Sequence, residues 1–345
     1  MWSDIVRVGN LIERVRPLKL AHVLLFALVL ILAGSQARAA EDDELAQYRS
    51  IWNPLTAGPQ LITTADLLAP GQFFVKTYIY SEFGYAQYGE RWSTRTQPLA
   101  QNLSAINPQL EIDYGLTNSV QIDCYVPEVS WWQGPGNGQP ASHGSGVGDT
   151  TLDLRYRFLI QQPDTWRPSL ALVSYAALPT SSWFNTPSTP GGFVPLGKLP
   201  STHFGSPVLT ESLAFRKTVR PFRISGGVYY SYGIPSSNGG APQRYGDIVQ
   251  ERLAVEQVLN DKRGFGYAIE LIGIHGLPFR IDRASVNAGQ TSFGVVGCQP
   301  TIEYNLTNRI VASAGALFTG AGKRDIAGVF PNFSVYYYFG KALPR

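Results

Sequence analysis

Period-two alternation dominates the chain. In 151–158 (TLDLRYRF), Leu152, Leu154, Tyr156 and Phe158 share one face, and Thr151, Asp153, Arg155 and Arg157 share the other. That is a strand with one apolar and one strongly polar side. In 109–116, Leu110, Ile112, Tyr114 and Leu116 oppose Gln109, Glu111 and Asp113. In 120–126, Val120, Ile122, Cys124 and Val126 oppose Gln121 and Asp123. Phe333, Val335, Tyr337 and Phe339 alternate with Asn332, Ser334, Tyr336 and Tyr338 near the end. An internal echo supports the pattern: IDYGLTNSV at 112–120 and IEYNLTNRI at 302–310 both read as a strand end, a tight Leu-Thr-Asn turn and a strand start.

Read this way, the chain predicts twelve strands near 72–83, 108–116, 119–129, 149–160, 167–178, 207–217, 221–232, 248–259, 264–276, 292–304, 309–319 and 329–340. The connections alternate. Short ones fall near 117–119, 161–166, 217–221, 260–264 and 305–308. Long ones rich in Gly, Pro, Ser and Asn fall near 84–107, 130–148, 179–206, 233–247, 277–291 and 320–328. Strands of about ten residues, short turns at one rim and long loops at the other are the pattern of an outer-membrane barrel, with the short turns periplasmic. The fold expected is therefore all-β: an antiparallel up-and-down transmembrane barrel, residues 71–345, with both termini periplasmic. The facing of 207–217 stays open, because Glu211 falls among Leu209, Leu213 and Phe215.

In lipid every backbone polar group must be paired within the protein, so strands must close on themselves. Apolar faces then meet lipid and polar faces turn inward. The inward set expected to line the lumen is Lys76, Glu111, Asp113, Asp123, Asp153, Arg155, Arg157, Glu270 and Glu303, with Glu82, Arg252 and Glu256 on the same parity. A dry sandwich core would not hold so many charges. Two consequences stay open: opposed charges that orient a passing solute, or paired charges that fill a narrow lumen.

The first 39 residues carry five basic and two acidic side chains, then the apolar run LAHVLLFALVLILAG, then Ala37-Arg38-Ala39. This is the three-part secretory signal, cleaved before Ala40. The remaining chain has equal numbers of acidic and basic groups, so nothing in its charge calls for nucleic acid. Charged residues make up only 15% against roughly 25% in soluble domains. Residues 40–70 precede the first strand and read as a periplasmic tail, a plug or a lid. Cys124 and Cys298 fall on lipid-facing parity on separated strands and read as small apolar residues. Isolated histidines give no metal-ligand spacing, and no cofactor is expected.

Residues 53–59 (NPLTAGP), 70–75 (PGQFFV) and above all 146–158 (GVGDTTLDLRYRF) carry a resemblance. From about residue 50 onward the chain resembles the outer-membrane channel-like proteins named for the meta-pathway of phenol degradation. The resemblance implies a barrel of about twelve strands that passes hydrophobic or aromatic compounds. It departs from the common barrel ending, since Lys341-Ala-Leu-Pro-Arg follows Phe339 and Gly340.

The function expected is a passive outer-membrane channel for small organic molecules, partnered by membrane lipid and its solutes. It is not expected to be an enzyme. Two alternatives remain. One is a structural barrel with a closed lumen. The other is a lipid-acting enzyme, because His143 two residues before Ser145 resembles outer-membrane phospholipase A, where His takes the Ser proton. In that family the pair lies on a strand followed by Asn-Gly. Here Gly146-Val147 follows, and the segment reads as a Gly-rich loop.

Overall fold

The computed structural model describes residues 45–135, 141–180, 207–235, 243–244, 246–277, 280–281, 284–285 and 292–339. The expected signal peptide, most of the expected long connection 179–206 and the ending after Phe339 lie outside them. The described chain forms two units, one ending at Ile51 and one running from Trp52 onward. In the first, residues 45–50 are a short helix.

The second unit is a closed antiparallel β-barrel. Its strands in chain order are β1 (Phe73–Tyr88), β2 (Thr96–Gly115), β3 (Val120–Gln133), β4 (Ser142–Val147), β5 (Thr150–Leu159), β6 (Ser169–Leu178), β7 (Val208–Val219), β8 (Phe222–Gly233), β9 (Gln243–Arg244), β10 (Ile248–Asn260), β11 (Phe265–Gly276), β12 (Arg280–Ile281), β13 (Ala284–Ser285), β14 (Phe293–Asn305), β15 (Ile310–Lys323) and β16 (Ile326–Phe339). Twelve of these build the wall. Its order runs β2, β1, β16, β15, β14, β11, β10, β8, β7, β6, β5, β3, and the β2–β3 pairing closes the ring. The first and last strands pair from Phe73 opposite Phe339, so both ends of the wall meet at one rim. This rim also carries the short turns. The small strands β9, β12 and β13 form a separate three-stranded sheet.

All twelve expected strands are present, but two long connections are shorter than the pattern suggested. The segment expected as a loop from 84 to 107 is mostly strand, because β1 and β2 continue to Tyr88 and back from Thr96. A bulge between Gly84 and Ala86 interrupts their register there. It also breaks the clean alternation by which a strand is recognised. The segment expected as a loop from 320 to 328 is a tight turn between β15 and β16.

The hydrophobic pattern is inverted relative to a water-soluble sheet. Leu213, Val228, Leu253 and Ile302 are exposed on the outer wall, Ile302 by 62%. Asp113, Glu256, Glu270 and Gln299 are buried inside, each at 1% or less. An apolar outer surface of this extent is stable when lipid is the solvent. A shallow apolar groove of about 870 Å³ on the outer wall, touched by Leu213, Phe215, Leu253 and Phe318, belongs to this lipid-facing surface. The strand of open facing resolves with Glu211 outward, where it accepts a 2.7 Å hydrogen bond from Ser174 of β6. Its neighbour Arg216 is buried inside.

Candidate functional site: a lumen crossed by its own N-terminal segment

Residues 52–72 contain no strand or helix and run inside the barrel. Their path is fixed by one wall contact after another. Trp52 starts at the short-turn rim, where its indole N–H donates to Asp261 at 2.8 Å. Asn305, the last residue of β14, donates to the Leu55 carbonyl at 2.8 Å. Two residues further up β14, Glu303 accepts the Gly58 N–H at 2.9 Å. Higher again, Glu270 of β11 accepts the N–H groups of Gln60 and Leu61 at 2.9 and 2.8 Å. Arg252 of β10 then donates to the Leu61 carbonyl. The chain turns near Thr63, whose N–H donates to the Tyr229 hydroxyl at 3.2 Å. On the way down Asp66 pairs with Arg216 at 2.9 Å, and Leu68 N–H donates to Gln121 at 2.8 Å. Reciprocal backbone hydrogen bonds of 2.9 Å at Gly115 bring it back to the rim.

Buried carboxylates do this work because the segment has no ladder of its own. Each buried N–H needs an acceptor, and a carboxylate accepts strongly. Glu270 also accepts from Gln299 and Thr301, at 3.2 and 3.1 Å. Glu256 accepts from Thr56 at 2.9 Å and pairs with Arg223. Arg223 in turn donates to Asn53 Oδ1 and to the Pro54 carbonyl, both at 3.0 Å. Two glycines make room for the feet of the segment. A Cβ at Gly264 (φ +49°) would lie 2.3 Å from the Leu55 carbonyl oxygen, and one at Gly115 would lie 2.3 Å from that of Ala69.

The opposite wall is acidic. Asp113, Asp123 and Asp153 stand in direct register on β2, β3 and β5. Arg155 lies among them, 2.5 Å from Asp123, 3.2 Å from Asp153 and 3.6 Å from Asp113. Gln121 donates to Asp113 and Asp123 at 3.0 and 2.7 Å. Lys76 pairs with Glu111 at 2.9 Å, and its ammonium lies 5.1 and 4.9 Å from the centres of the Tyr78 and Tyr336 rings. Arg157 donates to the Asn118 carbonyl at 2.7 Å, near the rim.

The nine residues expected inward thus lie in two groups, all buried. Glu270 and Glu303 hold the N-terminal segment. Lys76, Glu111, Asp113, Asp123, Asp153 and Arg155 form ion-paired clusters on the β1–β2–β3–β5 wall, and Arg157 sits below them. Sequence reasoning missed Arg216 because the facing of β7 was open, and Arg223 because it lies in the first two residues of its strand, before the alternation is established. It missed Thr56, Gln60 and Asp66 because no periodicity marks an irregular segment.

His143 and Ser145 are not in a loop. They lie on β4, which pairs with β3 so that His143 faces Trp132 and Ser145 faces Ser130. Both are exposed. The Gly-rich composition hid this strand, since its side chains carry no apolar alternation. Cys124 and Cys298 are free thiols on β3 and β14, which are not neighbours.

A closed antiparallel ring, an apolar outer wall and a charged interior define a transmembrane β-barrel of the outer-membrane kind. Among solved structures the chain is similar to the COG4313 outer membrane channel from Pseudomonas putida F1, with a TM-score of 0.62 and 13% identity, over 81% of this chain and 100% of that one. It is also similar to the translocator domain of the autotransporter NalP from Neisseria meningitidis, with a TM-score of 0.46 and 11% identity, over 80% and 91%. No family model matches the sequence. No curated protein matches it.

Proposed function

We propose that the chain is a passive outer-membrane channel for small organic solutes, hydrophobic and aromatic ones among them, and that residues 52–72 are its plug. One observation carries this reading. The lumen is crossed by an irregular segment held by side-chain hydrogen bonds, not by a further strand of the sheet. A segment anchored in this way leaves its wall contacts without breaking the ring that spans the membrane. In this reading the short-turn rim and both ends of the wall face the periplasm, and residues 1–39 are the export signal. The resemblance to the channel-like family of the phenol meta-pathway supports an aromatic cargo, as does the interior itself. Tyr80 stacks on Phe330 with ring centres 5.8 Å apart, and Tyr175 lies 6.4 Å from Tyr229.

The ion pairs favour a second reading, a structural barrel whose lumen stays closed. Solute flux separates the two. Liposomes containing the folded protein would be tested with arabinose, lactate and a phenyl glycoside too polar to cross lipid unaided. Faster passage of the aromatic glycoside than of the others is expected. Absence of flux for all three, with the barrel verified as folded, would leave the closed barrel standing.

A further inference from the structure

The lumen cations differ in what they bind. Lys76, Arg155, Arg216 and Arg223 each pair with a carboxylate. Arg252, half-buried on β10, forms no ion pair among the described residues. Its guanidinium donates to the Gln250 side-chain oxygen and to the Leu61 carbonyl, and lies 4.7 Å from the centre of the Tyr229 ring. A cation held by neutral acceptors in a membrane-embedded interior is costly, and such groups mark ligand paths.

An apolar cluster lies beside it. Ile272, directly opposite Arg252 across the β10–β11 pair, packs with Leu317 and Phe330, and Tyr80, Ile274 and Leu61 cover this cluster. Leu61 at the apex of the plug therefore presents two things at once. Its side chain lies on the apolar cluster, and its carbonyl oxygen lies on the guanidinium. An apolar body joined to an oxygen acceptor is also the outline of a hydrophobic carboxylic acid. A carboxylate is the stronger partner, because it is charged and bonds the guanidinium fork through both oxygens. The neighbouring Glu270 repels such an anion less than a bare carboxylate would, since Gln299 and Thr301 of the wall donate to it whether or not the plug is seated.

We infer that Arg252 and the Ile272–Leu317–Phe330 cluster form a binding site for a small hydrophobic carboxylate, and that Leu61 of the plug fills this site when no ligand is bound. The inference rests on the channel reading and names its solute class. Binding then removes the apex contacts that hold the plug.

The test is calorimetric titration of the purified, folded protein with 4-phenylbutyrate and with its uncharged primary amide. The acid is expected to bind about tenfold more tightly than the amide, as the exchange of a neutral for a charge-assisted bidentate contact predicts. Arg252→Gln removes the preference, Arg252→Lys keeps part of it, and Leu61→Ala tightens binding of the acid. Folding of each variant is checked by its heat-shifted electrophoretic mobility. Equal affinity for acid and amide in the wild type, or a preference that survives Arg252→Gln, overturns the site. Liposome flux of the phenyl glycoside, which does not cross lipid unaided, separates this failure from that of the channel. Acid preference in binding without flux supports the site and sinks the channel. Flux without acid preference in binding sinks the site and leaves the channel.

Discussion

Asp113, Asp123 and Asp153 face one another across three adjacent strands, an arrangement in which like charges repel. Arg155 lies within 3.6 Å of all three and holds the cluster together. Removing one partner of a buried ion cluster costs about 3–5 kcal/mol, because the charges left behind lose their compensation. Arg155→Met is therefore expected to lower unfolding stability in lipid vesicles by about that amount. Adding Asp123→Asn and Asp153→Asn in the same chain should recover most of the loss. Urea titration of the three chains checks both steps, and an Arg155→Met protein as stable as wild type would contradict the clustering. At this scale the inward residues were readable wherever a strand alternates cleanly. They were not readable at Arg216, where Glu211 on the lipid side confused the two faces. The pairing of the charges was not readable either, since it depends on registers that single strands do not reveal.

Among elements, the β15–β16 hairpin behaves differently from the loop its composition suggested. Asp325 sits in its turn, partly withdrawn from water. Burial pushes its carboxyl up to about 6, against a weaker opposing hydrogen bond from the Ile326 N–H. The neutral acid is thus the form the fold favours. Its contribution to stability is complete below the ordinary carboxyl range and is lost as pH rises through about 6. Asp325→Asn, which keeps the neutral shape, is expected to stabilise the protein at pH 8 and to leave it unchanged at pH 4. Thermal unfolding at the two pH values measures this, and a stabilisation equal at both would contradict it. Strand existence was legible here from alternation, whereas strand ends were not. The bulge at Gly84–Ala86 and the side-chain-poor β4 erase the period-two signal at the long-loop rim.

For the whole molecule, the wall and the plug follow different rules. The wall closes because lipid tolerates no unpaired sheet edge, and that logic is written in the strand pattern from end to end. The plug is irregular, so only its position ahead of the first strand pointed to it. Its hold on the wall came into view with the contacts of Glu256, Glu270 and Glu303. The central claim is that this plug must leave its seat for solute to pass. The direct measurement is flux of the phenyl glycoside through liposomes containing a Gln60→Cys, Ser313→Cys protein, with Cys124 and Cys298 replaced by Ala. The native Gln60 and Ser313 side chains are hydrogen-bonded at 2.5 Å. Cys is shorter than Gln, so the two new thiols are joined through a short, reducible bis-methanethiosulfonate bridge. The bridge is expected to stop the flux, and its reduction to restore it. Flux that continues unchanged with the bridge formed would contradict the plug.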